Sequence, residues 1–381
     1  MTHSYPGPLL LTPGPLTTDR RTREAMLRDW GSRDGGFIEM NARVRRGLIE
    51  VAGGVGSHTA ILMQGSGTFA VEAMIGTFVP RDGKLLAVIN GAYGRRIVQM
   101  CKIMGRACEV YQSPETAVPD PMEIDRRLGA DPSIGHVVVV HCETTSGIVN
   151  PVPAIAETIR RHGRRLLVDA MSAFGALPLD ARDIGYDALA ASANKCLEGV
   201  PGFGFVIARQ AALAATAGNA HSLSLDLHDQ WQAMERNGQW RFTPPTHVLA
   251  AFDTALALHA AEGGVRGRGA RYAENCKILT AGMRALGFQT LLPDALQAPI
   301  IVTFRMPKDP RFAFDTFYDL LRDKGYVIYP GKVAETPSFR IGCIGALSPS
   351  DMKGALEAIR ATLAEMDVTD GAPASVREAA A

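Results

Sequence analysis

Between about residues 60 and 210 the chain repeats one pattern: a short apolar run, a turn, then a stretch whose apolar positions recur every three or four residues. Continuous apolar runs read as strands buried on both faces, and the three-to-four period reads as helices packed against them. The expected fold class is therefore α/β, with a large domain built on a mainly parallel sheet covered by helices. Strands are predicted at 60–64, 84–90, 107–111, 136–141, 165–169, 188–192 and 204–208. Helices are predicted at 68–78, 94–104, 121–128 and 153–162, the last opening on Pro153, where a first helical turn needs no N–H. Gly53-Gly54-Val55-Gly56 ends a helical stretch and reads as a turn.

The pattern changes after Pro244-Pro245. Two long helical stretches follow, 247–261 and 266–286, and the arginines Arg266, Arg268 and Arg271 read as a solvated helical face. A strand at 300–304, a helix near 312–324, strands near 327–329 and 339–341 and a last helix from Ser350 predict a smaller α+β C-terminal domain. The expected division is a leading segment, 1–20, packing near the active site and the small domain; a large domain, 21–260; a small domain, 261–367; and a loose tail, 368–381, rich in Ala, Asp and Glu.

Composition adds exclusions. The 381 residues are 46% hydrophobic and 21% charged, and 40 basic against 39 acidic side chains leave a formal net charge of +1. No long-range field recruits nucleic acid or an anionic membrane, so an anion must be selected locally, inside a site. No apolar run approaches the length of a membrane span, and the opening residues are broken by Pro6, Pro8, Pro13 and Pro15, unlike a signal peptide. The six cysteines are scattered without metal or disulfide spacing, which fits a reducing cytoplasm. His141-Cys142-Glu143 sets three potential ligands in a row, but neighbours on a strand point to opposite faces, so no metal site is expected.

Three features carry chemistry together. Gln64-Gly65-Ser66-Gly67-Thr68 lies between a predicted strand and a helix opening on Phe69-Ala70-Val71-Glu72. Glycines let a backbone approach an anion, a helix N-terminus offers unpaired N–H groups, and Ser66 and Thr68 add hydroxyls. Alone, such a loop is equally a plain turn, and it is neither GxGxxG nor GxxxxGK[ST], which argues against nucleotide folds. Second, the apolar strand Arg165-Leu166-Leu167-Val168 ends in Asp169, where ligands of open α/β sheets bind. Third, Ala188-Leu189-Ala190-Ala191-Ser192-Ala193-Asn194 runs into a single lysine, Lys195, among small apolar residues. Such company lowers an amine's pKa and favours its nucleophilic form. A phosphate cradle, then a carboxylate, then a lysine on successive strand ends is the layout a pyridoxal 5'-phosphate site requires.

At these residues the chain resembles the fold-type I, class V aminotransferases, over roughly residues 8–366. The resemblance rests on Leu11-Thr12-Pro13-Gly14-Pro15, Gln64 to Glu72, Asn90-Gly91-Ala92-Tyr93-Gly94, His141 to Gly147, Val168-Asp169-Ala170-Met171-Ser172, Asn194-Lys195-Cys196 and Phe339-Arg340-Ile341-Gly342. It implies that Lys195 carries the cofactor as a Schiff base and that Asp169 holds the pyridinium. It also implies that Ser66, Gly67 and Thr68 bind the phosphate, with Asn194 and, from a neighbouring subunit of a homodimer, Thr243. Tyr93 stands where the family places a ring on the cofactor face, and Thr145 is expected to reach the ring oxygen. Arg340 matches the family's substrate arginine, and a rigid guanidinium fork suits a carboxylate or a phosphonate. Asn219-Ala220-His221-Ser222-Leu223 and Gln239-Trp240-Arg241-Phe242-Thr243-Pro244-Pro245 look specific to a branch acting on an aminophosphonate. The implied reaction passes an amino group from 2-aminoethylphosphonate to pyruvate; the alternatives are the alanine–glyoxylate or serine-type chemistries of the same class. One departure bears on that choice. Arg33, in Trp30-Gly31-Ser32-Arg33-Asp34, stands where relatives usually carry an aromatic. A cation there either strengthens binding of a dianionic phosphonate or marks a different amino donor.

Overall fold

The computed structural model describes residues 7–333 and 336–374. Its centre is a seven-stranded sheet of β1 (His58–Gln64), β2 (Lys84–Ile89), β3 (Ala107–Gln112), β4 (Ile134–Val140), β5 (Arg165–Asp169), β6 (Ala188–Ser192) and β7 (Phe203–Arg209). The spatial order is β1-β7-β6-β5-β4-β2-β3, and β7 alone is antiparallel to its neighbours. That reversal has a consequence for function. β1 regains the direction of β6, so the carboxyl ends of β1, β2, β4, β5 and β6 open on one edge, where α/β sheets bind ligands.

Alternation along the strands divides the core. Ala60, Leu62, Leu86, Val88, Val137 and Val139 pack on one face; Ile61, Met63, Leu85, Ala87, Ile89, Val138 and Val140 pack on the other. The first face is covered by α1 (Gly35–Val51), α4 (Pro121–Ala130), α5 (Val152–Arg161) and α7 (Thr246–Ala261); the second by α2 (Gly67–Phe78) and α3 (Ala92–Ile103). α1 has the expected stripe, Phe37, Met40, Val44 and Leu48, all buried, but Gly35, Gly36 and Gly47 dilute it, and the sequence reading marks only its end at Gly53. α6 (Leu227–Asn237) is not among the predicted helices, because charged and amide side chains outnumber its apolar ones.

A second layer follows α8 (Gly264–Ala285). β8 (Ile301–Arg305), β9 (Tyr329–Pro330) and β10 (Ser338–Gly342) form an antiparallel sheet in the order β8-β10-β9, packed on α8, α9 (Phe314–Asp323) and α10 (Pro349–Glu365). Phe288, Phe304, Phe317 and Phe339 fill its core, and Ser348 and Asp351 close α10 with a reciprocal capping box. The single strand expected near 327–329 is two: Tyr326–Val327 pairs in parallel with Leu9–Leu10, while Tyr329–Pro330 pairs with β10. The segment from Val368, expected to be loose, is docked as far as it is described. Val368 is buried, the Gly371 N–H donates to the Leu286 carbonyl at 3.0 Å, and Ala372 accepts from the Lys308 N–H at 2.9 Å. Residues 375–381 lie outside the described residues. Among the described residues no single helix is long and apolar enough to cross a membrane.

Candidate active site

The common edge of the sheet holds a cavity of about 210 Å³ lined by Ser66, Gly67, Thr68, Tyr93, Asp169, Asn194 and Lys195, together with Arg96 and Met171. The cradle forms because β1 ends at Gln64 and α2 begins at Gly67, with Gly65 turning the chain at φ +104°. A Cβ at Gly67 would collide with the Met171 thioether, so only glycine lets the helix start this close to the loop after β5. Ser66 is the N-cap of α2 yet makes no side-chain capping bond, which leaves its hydroxyl and the first-turn N–H groups for a ligand.

Asp169, at the end of β5, is 5% exposed, and its carboxylate accepts one hydrogen bond, from the Met171 N–H at 3.0 Å. Burial, with a smaller push from the Glu143 charge, raises its pKa to about 6. One strand over, Lys195 follows β6. Burial pushes its ammonium below the usual lysine range, and Nζ donates to the Pro13 carbonyl at 2.8 Å. The turn carrying it is fixed from behind. The Glu198 N–H donates to the Lys195 carbonyl at 2.8 Å, with Glu198 in a left-handed conformation at φ 57°. Arg268, 1% exposed, donates to the Cys196 carbonyl at 2.5 Å and lies 3.4 Å from the Glu198 carboxylate. The expectation of a solvated arginine face thus holds for Arg266 only: Arg268 and Arg271 turn inward onto Glu198 and Glu262, carboxylates that no helical periodicity of their own helix reveals.

Tyr93, in the first turn of α3, carries the Lys332 ammonium 4.2 Å and the Arg96 guanidinium 5.1 Å from its ring centroid. Burial opposes ionisation of the phenol, but the Lys332 charge, a Thr144 hydrogen bond and the Lys195 and Arg340 charges outweigh it and hold its pKa below the usual range. Arg340, on β10, is buried; Nε donates to the Pro330 carbonyl at 3.0 Å and a terminal nitrogen to the Thr144 carbonyl at 2.9 Å. Its charge acts on Tyr93, and it lies outside the cavity lining.

Thr145 makes its hydrogen bonds within the wall beside α3. Its hydroxyl donates to Glu143 at 2.5 Å and accepts from the Ala92 N–H at 3.0 Å. Glu143, fully buried, accepts from the N–H groups of Tyr93 at 3.2 Å and Gly94 at 3.3 Å. The pair caps α3 from outside and so aims Tyr93; an acid at a helix N-terminus is also favoured by the dipole. Among the described residues no cluster of metal-ligating side chains occurs.

Two further expected residues lie outside the cavity in the single chain. Thr243 is exposed; its carbonyl accepts from Gln64 Nε2 at 2.8 Å, which holds it at the rim of the cradle. Its side chain does not cap α7, whose N-cap is Pro245. Arg33 is exposed in the turn before α1 and lines no part of the cavity. Conversely, Arg96 and Lys332 are absent from the sequence reading, and Glu143 enters it only as a rejected metal ligand. Arg96 donates to the Thr68 hydroxyl at 3.1 Å and brings a cation to the cradle. The doublet Arg95-Arg96 at the start of a helix, where the dipole disfavours cations, was the signal available.

The residues present fit pyridoxal phosphate. A buried carboxylate with one N–H partner and, among the described residues, no cation at ion-pair distance is costly unless a cationic nitrogen meets it. The uncapped start of α2 offers donors to a phosphate, and the depressed lysine offers an uncharged amine to a carbonyl.

Residues 42–341 match the family described as aminotransferase class-V. The chain is 54% identical over 363 residues to the 2-aminoethylphosphonate–pyruvate transaminase of Pseudomonas putida (strain W619), covering 95% of this chain and 99% of that protein. The enzyme of the same name from Pseudomonas aeruginosa (strain UCBPP-PA14) is 53% identical, with 95% and 98% covered. Pyridoxamine–pyruvate aminotransferase from Mesorhizobium loti is similar in structure with a TM-score of 0.87 at 25% identity, covering 96% of each chain. Alanine–glyoxylate aminotransferase from Nostoc sp. gives 0.87 at 22% identity, with 95% and 97% covered, a likeness of fold.

Proposed function

The chain belongs to the class V aminotransferases, and from that membership we propose that it transfers the amino group of 2-aminoethylphosphonate to pyruvate, giving phosphonoacetaldehyde and L-alanine. Its cofactor is pyridoxal 5'-phosphate. The observation that carries the choice of substrates is the match to the two Pseudomonas enzymes, which spans nearly the whole of each chain rather than the shared cofactor motifs alone.

When bound, the cofactor supplies a carbonyl that takes up amines and a ring that accepts the electrons left when a proton departs from the adjacent carbon. Ser66, Gly67 and Thr68 hold its phosphate, with Arg96 and Asn194 at the cavity wall. Asp169 would hold the ring nitrogen protonated, and Tyr93, also on the cavity wall, would pack on the ring. Lys195 would be the residue bonded to the cofactor between turnovers. Its uncharged Nζ, when free, would move a proton between the substrate carbon bearing nitrogen and the cofactor's carbonyl carbon. Burial keeps that amine unprotonated, and the Pro13 carbonyl orients it. Arg340 receives the acidic group of donor and acceptor in turn. A homodimer is part of the same proposal, with Thr243 reaching the partner's phosphate. In its support, Thr243 is exposed at the cradle rim, and its chain neighbour Phe242 is an exposed apolar side chain. A cytoplasmic location also belongs to it, supported by six cysteines that the fold leaves as thiols.

The test is a donor screen with pyruvate as acceptor. 2-Aminoethylphosphonate should exceed serine and aspartate in kcat/KM by roughly a hundredfold or more. Borohydride reduction followed by peptide mapping should place the cofactor on Lys195. A faster donor among the amino acids would overturn the substrate; a modified lysine elsewhere would overturn the site.

A further inference from the structure

Arg340 is not the only cation at its corner of the site. β9 runs through Gly331 into Lys332, while Arg340 is the register partner of Tyr329 on β10. The Gly331 N–H donates to the Ser338 carbonyl at 3.0 Å, so both cations come from one small, hydrogen-bonded sheet edge. Lys332 is half-buried; its ammonium rests 4.2 Å from the centroid of the Tyr93 ring and meets no carboxylate among the described residues. The phenol of Tyr93, on the cavity wall, lies in the field of Lys332, Lys195 and Arg340 together.

The donor and the acceptor differ in the acidic group they present. A carboxylate has two oxygens and one charge; a phosphonate, like a phosphate ester, has three acceptor oxygens and up to two charges. Arg340 has five N–H groups, of which one is spent on the Pro330 carbonyl and one on the Thr144 carbonyl. The remainder can serve two oxygens in a fork, but leave a third oxygen and a second charge uncompensated. An ammonium over an aromatic face is held more weakly than one against a dianion, so its place there can be given up.

We propose that Lys332 is the second cation of the substrate site, resting on Tyr93 when a carboxylate is bound and turning to the third oxygen when a phosphonate is bound. This rests on the reading of the donor as an aminophosphonate. Lys332 thereby lets one site serve a dianionic donor and a monoanionic acceptor without a rearrangement of Arg340.

The experiment uses holoenzyme, wild type and Lys332→Met, with Lys332→Arg as the variant that keeps the charge. Two probes lacking the amine, ethylphosphonate and propionate, are titrated by their effect on the cofactor spectrum. Each half-reaction is then followed separately, with 2-aminoethylphosphonate and with alanine. In Lys332→Met the dissociation constants of ethylphosphonate and 2-aminoethylphosphonate should rise about tenfold or more, while those of propionate and alanine change less than about twofold. Lys332→Arg should restore most of the phosphonate affinity. Equal losses for phosphonate and carboxylate, or no loss for either, overturn the proposal. If wild type fails to convert 2-aminoethylphosphonate yet shows a Lys332-dependent preference for ethylphosphonate, the second cation stands and the donor falls. If it converts the donor with no dependence on Lys332, the donor stands and the second cation falls.

Discussion

Two carbonyls fix the guanidinium plane of Arg340, so the substrate role proposed for it is directional as much as electrostatic. Arg340→Lys keeps the charge but loses the fork. We expect kcat/KM for pyruvate to fall by about tenfold to a hundredfold, equivalent to roughly 1.5–3 kcal/mol of a charge-assisted contact, with the cofactor spectrum unchanged. Steady-state kinetics checks this, and unchanged specificity for both substrates would remove Arg340 from the site. Asp169 makes a prediction about pH. Its folded pKa of about 6 lies above the unfolded carboxylate value of about 4, so the folded, cofactor-free protein binds the proton more tightly. Stability from this group is therefore present below about pH 4 and lost as pH rises through about 6, a change on the order of 2–3 kcal/mol. Asp169→Asn cannot lose that proton. Urea unfolding of cofactor-free protein should show the variant gaining about that much on wild type between about pH 4 and about pH 7. Parallel pH profiles would mean that the carboxylate is not buried as described.

At the scale of elements, the start of α2 depends on one missing methyl group. Gly67→Ala must displace either Met171 or the helix, and both movements disturb the N–H groups proposed to face the phosphate. We expect the dissociation constant for pyridoxal phosphate to rise by about tenfold or more, with far-ultraviolet circular dichroism unchanged; equilibrium dialysis decides it. The glycine was legible in the sequence because its loop is local, spanning five residues between two periodic segments. The strands of the large sheet were legible for a related reason: Leu85 to Ile89 and Val137 to Val140 are apolar at every position, as burial on both faces requires. Most of what the sequence did not show was non-local. Arg268 looked solvated because its partners, Glu198 and the Cys196 carbonyl, lie about 70 residues earlier in the chain. Thr145 was assigned to the cofactor from its motif, yet two residues of turn geometry point its hydroxyl at Glu143. Lys332 gave no signal at all, since nothing in its local sequence reports that Tyr93, distant in sequence, lies beneath its ammonium.

At the scale of the whole molecule, assembly is open to a complementation test. Chains carrying Lys195→Ala and chains carrying Thr243→Ala are each expected to be inactive or weak at low cofactor concentration. If Thr243 serves the partner's site, a mixed dimer combines both defects in one site and leaves the other intact. Equal mixing with full exchange should then recover roughly a quarter of wild-type activity. Recovery near zero despite proven exchange would confine Thr243 to its own chain. The leading segment has an equally global reach. Leu9–Leu10 is paired with Tyr326–Val327, the Leu11 carbonyl accepts from the Gly342 N–H at 2.8 Å, and the Pro13 carbonyl accepts from Lys195. One short stretch is thus stitched at one end to the small layer and at the other to the Lys195 amine. A deletion scan from the N-terminus should therefore register an abrupt joint failure: melting temperature and cofactor loading should collapse at the same residue, where a merely decorative leader would lose neither.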